Sequence, residues 1–150
     1  MFAIASSDEE IDALFEPTSV GEVAMNEGIS IDGVEWMATA VQTLDHFRDS
    51  FGDRIKPVDS STMFIKVSGK TTNRNKETDL ELGDLYLVDG DDAEYAEHED
   101  SLEGLIFEEL SRNVPKKWTS VFEVPKSIPK PIKLKVTNFE SVGYIVLMAN

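Results

Sequence analysis

DGVEWMATAVQTLDHFRDSFG, residues 32–52, is the stretch on which the fold turns. Asp32 and Glu35 have the spacing of a capping box, in which a side-chain oxygen accepts from the amide three residues on while the glutamate reaches back. Behind them Val34, Trp36, Met37, Ala40, Val41, Leu44 and Phe47 recur at steps of three and four until Gly52. That recurrence is the signature of one apolar helical face. The expected element is a helix over 33–51, the longest in the chain.

Working outward, Ser7-Asp8-Glu9-Glu10 is a second capping box ahead of Ile11, Leu14 and Phe15, which predicts a short helix over 7–16 stopped by Pro17. Val20, Val23, Met25, Ile29 and Ile31, interspersed with Gly21 and Gly28, fit one or two short strands or a wrapped loop. Beyond the long helix the period becomes two. Met63, Ile65 and Val67 alternate with Phe64, Lys66 and Ser68, and Leu80, Leu82, Leu85 and Leu87 form a second run. The polar stretch Gly69 to Thr78 then reads as their connection. Leu102, Leu105, Ile106 and Leu110 have helical spacing over 101–112, ended by Asn113 and Pro115. Trp118–Val124, Ile132–Thr137 and Val142–Met148 are β-rich, the last two joined as a hairpin. Apolar residues persist almost to the last position, so the C-terminal end is expected to be held in a sheet.

The fold class predicted is α+β. A single domain over 1–150 would have an antiparallel sheet of about five strands (62–68, 80–88, 118–124, 132–137, 142–148), one long helix on one face and two shorter helices. Residues 89–100 would be a solvated acidic loop. Pro125 to Pro131 would be a stiff extended crossover between strands.

Charge is sorted into blocks along the chain. Residues 1–53 sum to −11, 54–76 to +5, 77–111 to −14 with no Lys or Arg among them, and 112–150 to +5, for a net of −15. Single-sign fields of this kind steer partners and repel copies of the same surface. The acidic excess disfavours direct binding to nucleic acid and to anionic membrane, since Lys and Arg supply most of that affinity. Cysteine is absent, so no disulfide frame exists. The opening Met-Phe-Ala-Ile-Ala-Ser-Ser lacks a basic region and a long apolar core, and the longest apolar run, Tyr144 to Ala149, is too short for a bilayer span. A soluble protein, cytoplasmic at synthesis, is expected.

The motifs that invite chemistry fail on inspection. Ser68-Gly69-Lys70-Thr71 resembles the end of a phosphate loop, but Phe64 stands where a glycine must let the backbone wrap phosphate, and a hairpin tip is the plainer reading. Gly28-Ile29-Ser30-Ile31-Asp32 lacks the last glycine of a nucleophile elbow. Asp89-Gly90-Asp91-Asp92-Ala93-Glu94 departs from a calcium loop at Ala93 and Glu94, leaving weak adventitious cation binding at most. His46, on the expected helix, and His98, solvated in the acidic loop, each lack a second histidine at ligand spacing. No catalytic, cofactor or metal residue is assigned.

What remains is a pair of partner-binding patches. Asp89, Asp91, Asp92, Glu94, Glu97, Glu99 and Asp100 form the acidic one, and Lys66, Lys70, Arg74, Lys76, Lys116 and Lys117 the basic one. The function expected is a non-enzymatic structural or assembly protein that binds neighbouring protein subunits, copies of itself included, through charge-complementary patches. A virus particle is the setting that fits such a subunit. Two other readings stand beside it: an acidic inhibitor that imitates nucleic acid, and a small enzyme with a carboxylate site. Self-repulsion of the net charge makes a first prediction. Moderate salt should raise the melting temperature, with a stability gain on the order of 1 kcal/mol; a fall in melting temperature would instead mark intramolecular pairing of the blocks.

Overall fold

A computed structural model describes residues 18–77, 84–99, 110–138 and 141–150. Its eleven strands are β1 (Thr18–Ala24), β2 (Ile29–Ile31), β3 (Val34–Leu44), β4 (Phe47–Arg48), β5 (Arg54–Ile55), β6 (Thr62–Asn73), β7 (Leu85–Val88), β8 (Glu94–Ala96), β9 (Lys116–Pro125), β10 (Ile132–Thr137) and β11 (Ser141–Met148). Among the described residues there is no helix, and they form an all-β fold that overturns the α+β expectation with its long helix. The expected helix over 7–16 lies outside the described residues, as do 101–109 of the one expected over 101–112; within 110–112, Arg112 forms an isolated bridge to Asn73.

The long helix over 33–51 is replaced by β3, a turn and β4. Two local devices account for the difference. Asp32 and Gly33 both have positive φ, 52° and 80°, and sit between the directly paired Ile31 and Val34. A two-residue hairpin turn of this hand needs left-handed backbone at both centres, which Asp-Gly supplies cheaply. The expected cap is therefore a β-turn, held by Arg74 N donating to Gly33 O (2.8 Å) and Asn75 Nδ2 donating to Asp32 O (3.0 Å). The second device is an irregularity in β3, where the register against β6 slips between Ala38 and Ala40. Strands bury every second residue, and one inserted residue reverses that parity. Val34, Trp36 and Ala38 face inward before the slip and Val41 after it, while Met37 and Leu44 are apolar on the outer face, so apolar residues from both faces together fill the steps of three and four that mimic a helix.

Two sheets stack face to face. One runs β1-β11-β10-β7-β8 and the other β2-β3-β6-β9, with β4 and β5 as a separate small hairpin. The β10–β11 hairpin is antiparallel and β1 adds parallel to β11, so the last strand lies between two neighbours. Residues 126–131 carry the chain from β9 in one sheet to β10 in the other, with Ile128 buried in the core. β6 runs on through Asn73, which corrects two expectations: Gly69 to Thr78 is not simply a connection, and Ser68-Gly69-Lys70-Thr71 lies in mid-strand rather than at a hairpin tip. The acidic loop 89–100 is likewise not all loop, since it contains β8.

The core between the sheets joins Ile31, Trp36, Ile65, Val67, Trp118 and Phe122 to Leu87, Ile132, Leu134, Val136 and Ile145. Trp36 and Trp118 meet edge to face at 6.0 Å. Gly69 makes room for them: a Cβ there would lie 2.2 Å from Met37 O and 2.4 Å from the Trp118 ring. A second, smaller cluster lies on the opposite side of the β3-β6-β9 sheet, where Phe47 of β4 covers Phe64 and Val121, with Leu44 and Ile55 at its margin. Burying a phenylalanine such as Phe64 stabilises by roughly 1.5–3 kcal/mol, which fastens the β4–β5 hairpin onto the sheet. Because neither the Met37 backbone nor the indole at Gly69 has freedom to move, Gly69→Ala should lower the unfolding free energy by about 1–3 kcal/mol in urea titration.

Candidate interaction surfaces

The alternation of β6 decides where its charges go. Ile65, Val67, Gly69 and Thr71 point into the core, so Phe64, Lys66, Ser68 and Lys70 point out. On this outer face Lys70 stands directly opposite Lys117 of β9 and Met37 of β3, and Lys66 directly opposite Val121 and Gln42. Lys70 and Lys117 are exposed and Lys66 is half-buried. Like charges directly across an antiparallel pair repel at about 5 Å between Cβ atoms. Among the described residues no ion pair reaches any of these three lysines.

The rest of the expected basic patch lies elsewhere. Lys116 is opposite Thr71, on the other face of the sheet from Lys117. Arg74 follows β6, where its Nη1 donates to Asn113 Oδ1 at 3.0 Å and its Nη2 lies 3.6 Å from Glu35 Oε1. Lys76 is exposed beyond it. Register thus brings together Lys66, Lys70 and Lys117 and separates the other three.

The outer face of the second sheet is built differently, with signs interleaved. Lys133 of β10 reaches Glu22 of β1 at 2.5 Å, and Lys135 of β10 reaches Glu94 of β8 at 2.8 Å. The hydrogen bond to Glu94 is the main cause holding the Lys135 ammonium above its ordinary pKa, and the same ammonium lies 5.9 Å from the Tyr86 ring centroid. A groove of about 630 Å³ lies here, among Ser19, Glu22, Asp92, Glu94, Lys133 and Tyr144. Its charged walls already satisfy each other through the Glu22–Lys133 pair.

The expected acidic patch divides in the same way. Asp89 is buried, and its Oδ1 accepts from the amides of Asp91 (2.8 Å) and Ala93 (3.0 Å) while Oδ2 accepts from the Tyr95 hydroxyl (2.8 Å). Burial opposes its ionisation, but the Ala93 amide, the Tyr95 hydroxyl and the Asp91 amide outweigh it and hold the carboxyl below the usual range. Asp89 therefore builds the β7–β8 turn rather than serving a partner. Asp91, Asp92 and Glu99 are exposed, and Glu94 is committed to Lys135. Glu97 turns inward to accept from Ser120 Oγ, and its burial pushes its pKa up, Ser120 opposing this and the Asp84 charge adding to it. Asp100 lies outside the described residues.

His98 is not solvated as the sequence suggests. Its ring meets Phe47 and Phe64 edge to face at 5.3 and 5.6 Å, its Nε2 lies 4.0 Å from Glu123 Oε1, and its amide donates to Val121 O at 2.7 Å, tying the two sheets together beside β8. His46 lies in the turn after β3 against Asp45. Among the described residues no group of three or more His, Cys, Asp or Glu could hold a metal ion, and no helix is long and apolar enough to cross a membrane. Sequence reasoning misses Phe51, 85 % exposed at the tip of the β4–β5 hairpin, because the expected helix over 33–51 runs through it. Its flanking Asp49 and Gly52, common turn residues, were the available signal.

No protein-family model and no curated protein matches this sequence. Similar solved structures exist. An uncharacterized beta-sandwich protein from Clostridium difficile superposes with a TM-score of 0.56 at 16 % identity, over 87 % of this chain and 96 % of that one. A conserved hypothetical protein from Bacillus anthracis gives 0.58 at 21 %, over 77 % and 88 %. The yjhA protein from Bacillus subtilis gives 0.53 at 17 %, over 83 % and 99 %. At these identities the likeness shows the β-sandwich fold alone.

The Asp89 turn supplies a pH prediction. A carboxyl whose pKa is lowered in the folded state adds stability above its unfolded value of about 3.9, and that contribution disappears as pH falls through the folded value. Asp89→Asn should cost about 1–3 kcal/mol near neutral pH, and the gap between the two proteins in urea titrations should shrink toward pH 2. A gap that stays constant with pH would show that Asp89 acts by shape alone.

Proposed function

We propose that the protein is a non-enzymatic binding and assembly module that seats an acidic surface of a neighbouring protein subunit on its Lys66–Lys70–Lys117 face. One observation supports this reading most. In a chain with 29 acidic residues and 14 Lys and Arg, the fold sets Lys70 against Lys117 with Lys66 on the same face, and among the described residues no ion pair reaches any of the three. That arrangement is unfavourable for the isolated molecule, and a bound anionic surface relieves it. The contrast with the second sheet sharpens the point, because there each lysine of β10 reaches an acid two strands away.

A flat strand face suits a protein surface better than a small anion. Ser68, Thr119 and Gln42 supply neutral hydrogen-bonding groups between the lysines, and Met37 supplies a soft apolar one. Asp91, Asp92 and Glu99 are an exposed acidic counterpart on the chain itself, so other copies belong among the candidate partners. Mimicry of nucleic acid draws less support, since Asp89, Glu94 and Glu97 are engaged within the molecule.

Charge reversal tests the proposal. With labelled polyglutamate as the acidic probe at low salt, the combined Lys66→Glu, Lys70→Glu and Lys117→Glu variant should bind about tenfold or more weakly by fluorescence anisotropy. In moderate salt, where the added negative charge is screened, its melting temperature should stay close to that of the wild type, because one like-charge cluster has been exchanged for another. Equal binding by the two proteins would overturn the assignment of this face.

A further inference from the structure

The β4–β5 hairpin is rigidly built, yet it presents an aromatic side chain to solvent. Asp49 Oδ1 accepts from the amides of Phe51 and Asp53, each at 2.9 Å. Asp49 N donates to Asp53 O at 3.0 Å, Gly52 N donates to Asp49 O at 3.1 Å with Gly52 at φ +85°, and Arg48 Nη1 donates to Gly52 O at 2.9 Å. The base of the hairpin is anchored by Phe47 against Phe64, 4.8 Å between ring centroids. On this fixed support Phe51 is 85 % exposed. A few residues further on Val58 is 81 % exposed, its amide pinned by Glu123 Oε2 at 2.8 Å. A mobile loop exposes an apolar residue at little consequence. A preorganised tip that does so is arranged like an interface anchor, whose ordering cost is already met before binding.

Beside the hairpin lies a groove of about 640 Å³ whose apolar wall is Leu44, Pro57 and Met63 and whose rim carries Asp45, Asp59 and Lys126. Its lining includes Asp45, just before β4, and Pro57, just after β5, so knob and groove are neighbours on the same end of the molecule. A knob adjoining a groove is the arrangement a two-fold axis closes, because each copy then fills the other's groove at once. Charge agrees with that pairing. Arg48 and Arg54 stand directly opposite each other on the hairpin, and the groove rim offers two carboxylates, Asp59 and the Asp45 that also meets its own His46, against the single cation Lys126.

We propose that a second copy of this chain is the occupant: Phe51 of each protomer enters the Leu44–Pro57–Met63 groove of its partner, with Val58 at the margin. This surface is independent of the lysine face, being on the hairpin end and held mainly by apolar contact.

Sedimentation velocity on the full chain in about 0.5 M salt tests it, since exposed charge pairs are screened there and apolar burial is not. The wild type should be dimeric at high protein concentration. Phe51→Ser should raise the dimer dissociation constant about a hundredfold, two anchors being lost per dimer, with a melting temperature unchanged from the wild type at concentrations where both are monomeric. Phe51→Leu should restore part of the dimer, and the triple lysine reversal should leave it intact, which separates this surface from the one proposed above. A wild type that stays monomeric, a dimer that survives Phe51→Ser, or a monomer that cosediments through Phe51 with phosphatidylcholine vesicles would each overturn the proposal.

Discussion

The alternation of β6 is the constraint from which the rest of the molecule follows. This twelve-residue strand is paired along most of its length on both sides, by β3 and by β9. Backbone pairing on two flanks leaves its side chains only two directions. Ile65, Val67, Gly69 and Thr71 enter the space between the sheets, and Phe64, Lys66, Ser68 and Lys70 leave it. One choice of phase therefore creates the main core, the outer cluster that holds the β4–β5 hairpin, and the lysine face. A slip by one residue would exchange all three.

The two outer faces then solve the charge problem differently. On the sheet that ends in β8, lysines alternate along β10 and find acids across the ladder from β1 and β8. That face is internally neutralised. On the β3-β6-β9 sheet, the strands that meet β6 set Met37, Gln42 and Lys117 directly opposite the lysines, and the acids of that face, Glu35 and Glu123, stand opposite Thr72 and Phe64 instead. Part of this sheet is also covered, because Phe47, His98 and Glu123 gather over Phe64 where the chain turns back. What stays open is a basic strip on an otherwise acidic protein, bordered by a hairpin whose tip is apolar. Charge segregation in the chain thus survives on one face and dissolves on the other.

Much of the candidate surface was legible as composition but not as location. Six basic residues were visible in two clusters along the chain, yet only three share a face, and nothing in the spacing of 66, 70 and 117 reveals that Lys70 opposes Lys117. Register between distant strands sets that. The acidic run at 89–99 was equally visible, but its members have different fates: Asp89 builds a turn, Glu97 is drawn against Ser120, Glu94 is paired, and Asp91, Asp92 and Glu99 face solvent. Identical chemistry in neighbouring residues separates because a turn followed by a strand points successive side chains in different directions. His98 shows the same effect, moving from an acidic stretch to an aromatic contact.

The sequence by itself determined the strands over 62–68, 118–124, 132–137 and 142–148, the last two as a hairpin, because short runs rich in β-branched and aromatic residues between turn formers favour extended backbone whatever their partners. It also determined the surplus of acid. Only the tertiary structure decided that residues 34–44 are a strand. There the register slip at Ala38 and Ala40 reverses the alternation within one element and Met37 and Leu44 add apolar residues on the outer face, so apolar positions of both faces together fall at helical intervals and local pattern alone favours the wrong period. Pairing with β6 along nearly the whole segment supplies ten backbone partners that a helix lying on the sheet would leave unmet at its edge. That nonlocal satisfaction of the backbone overrides the local periodicity.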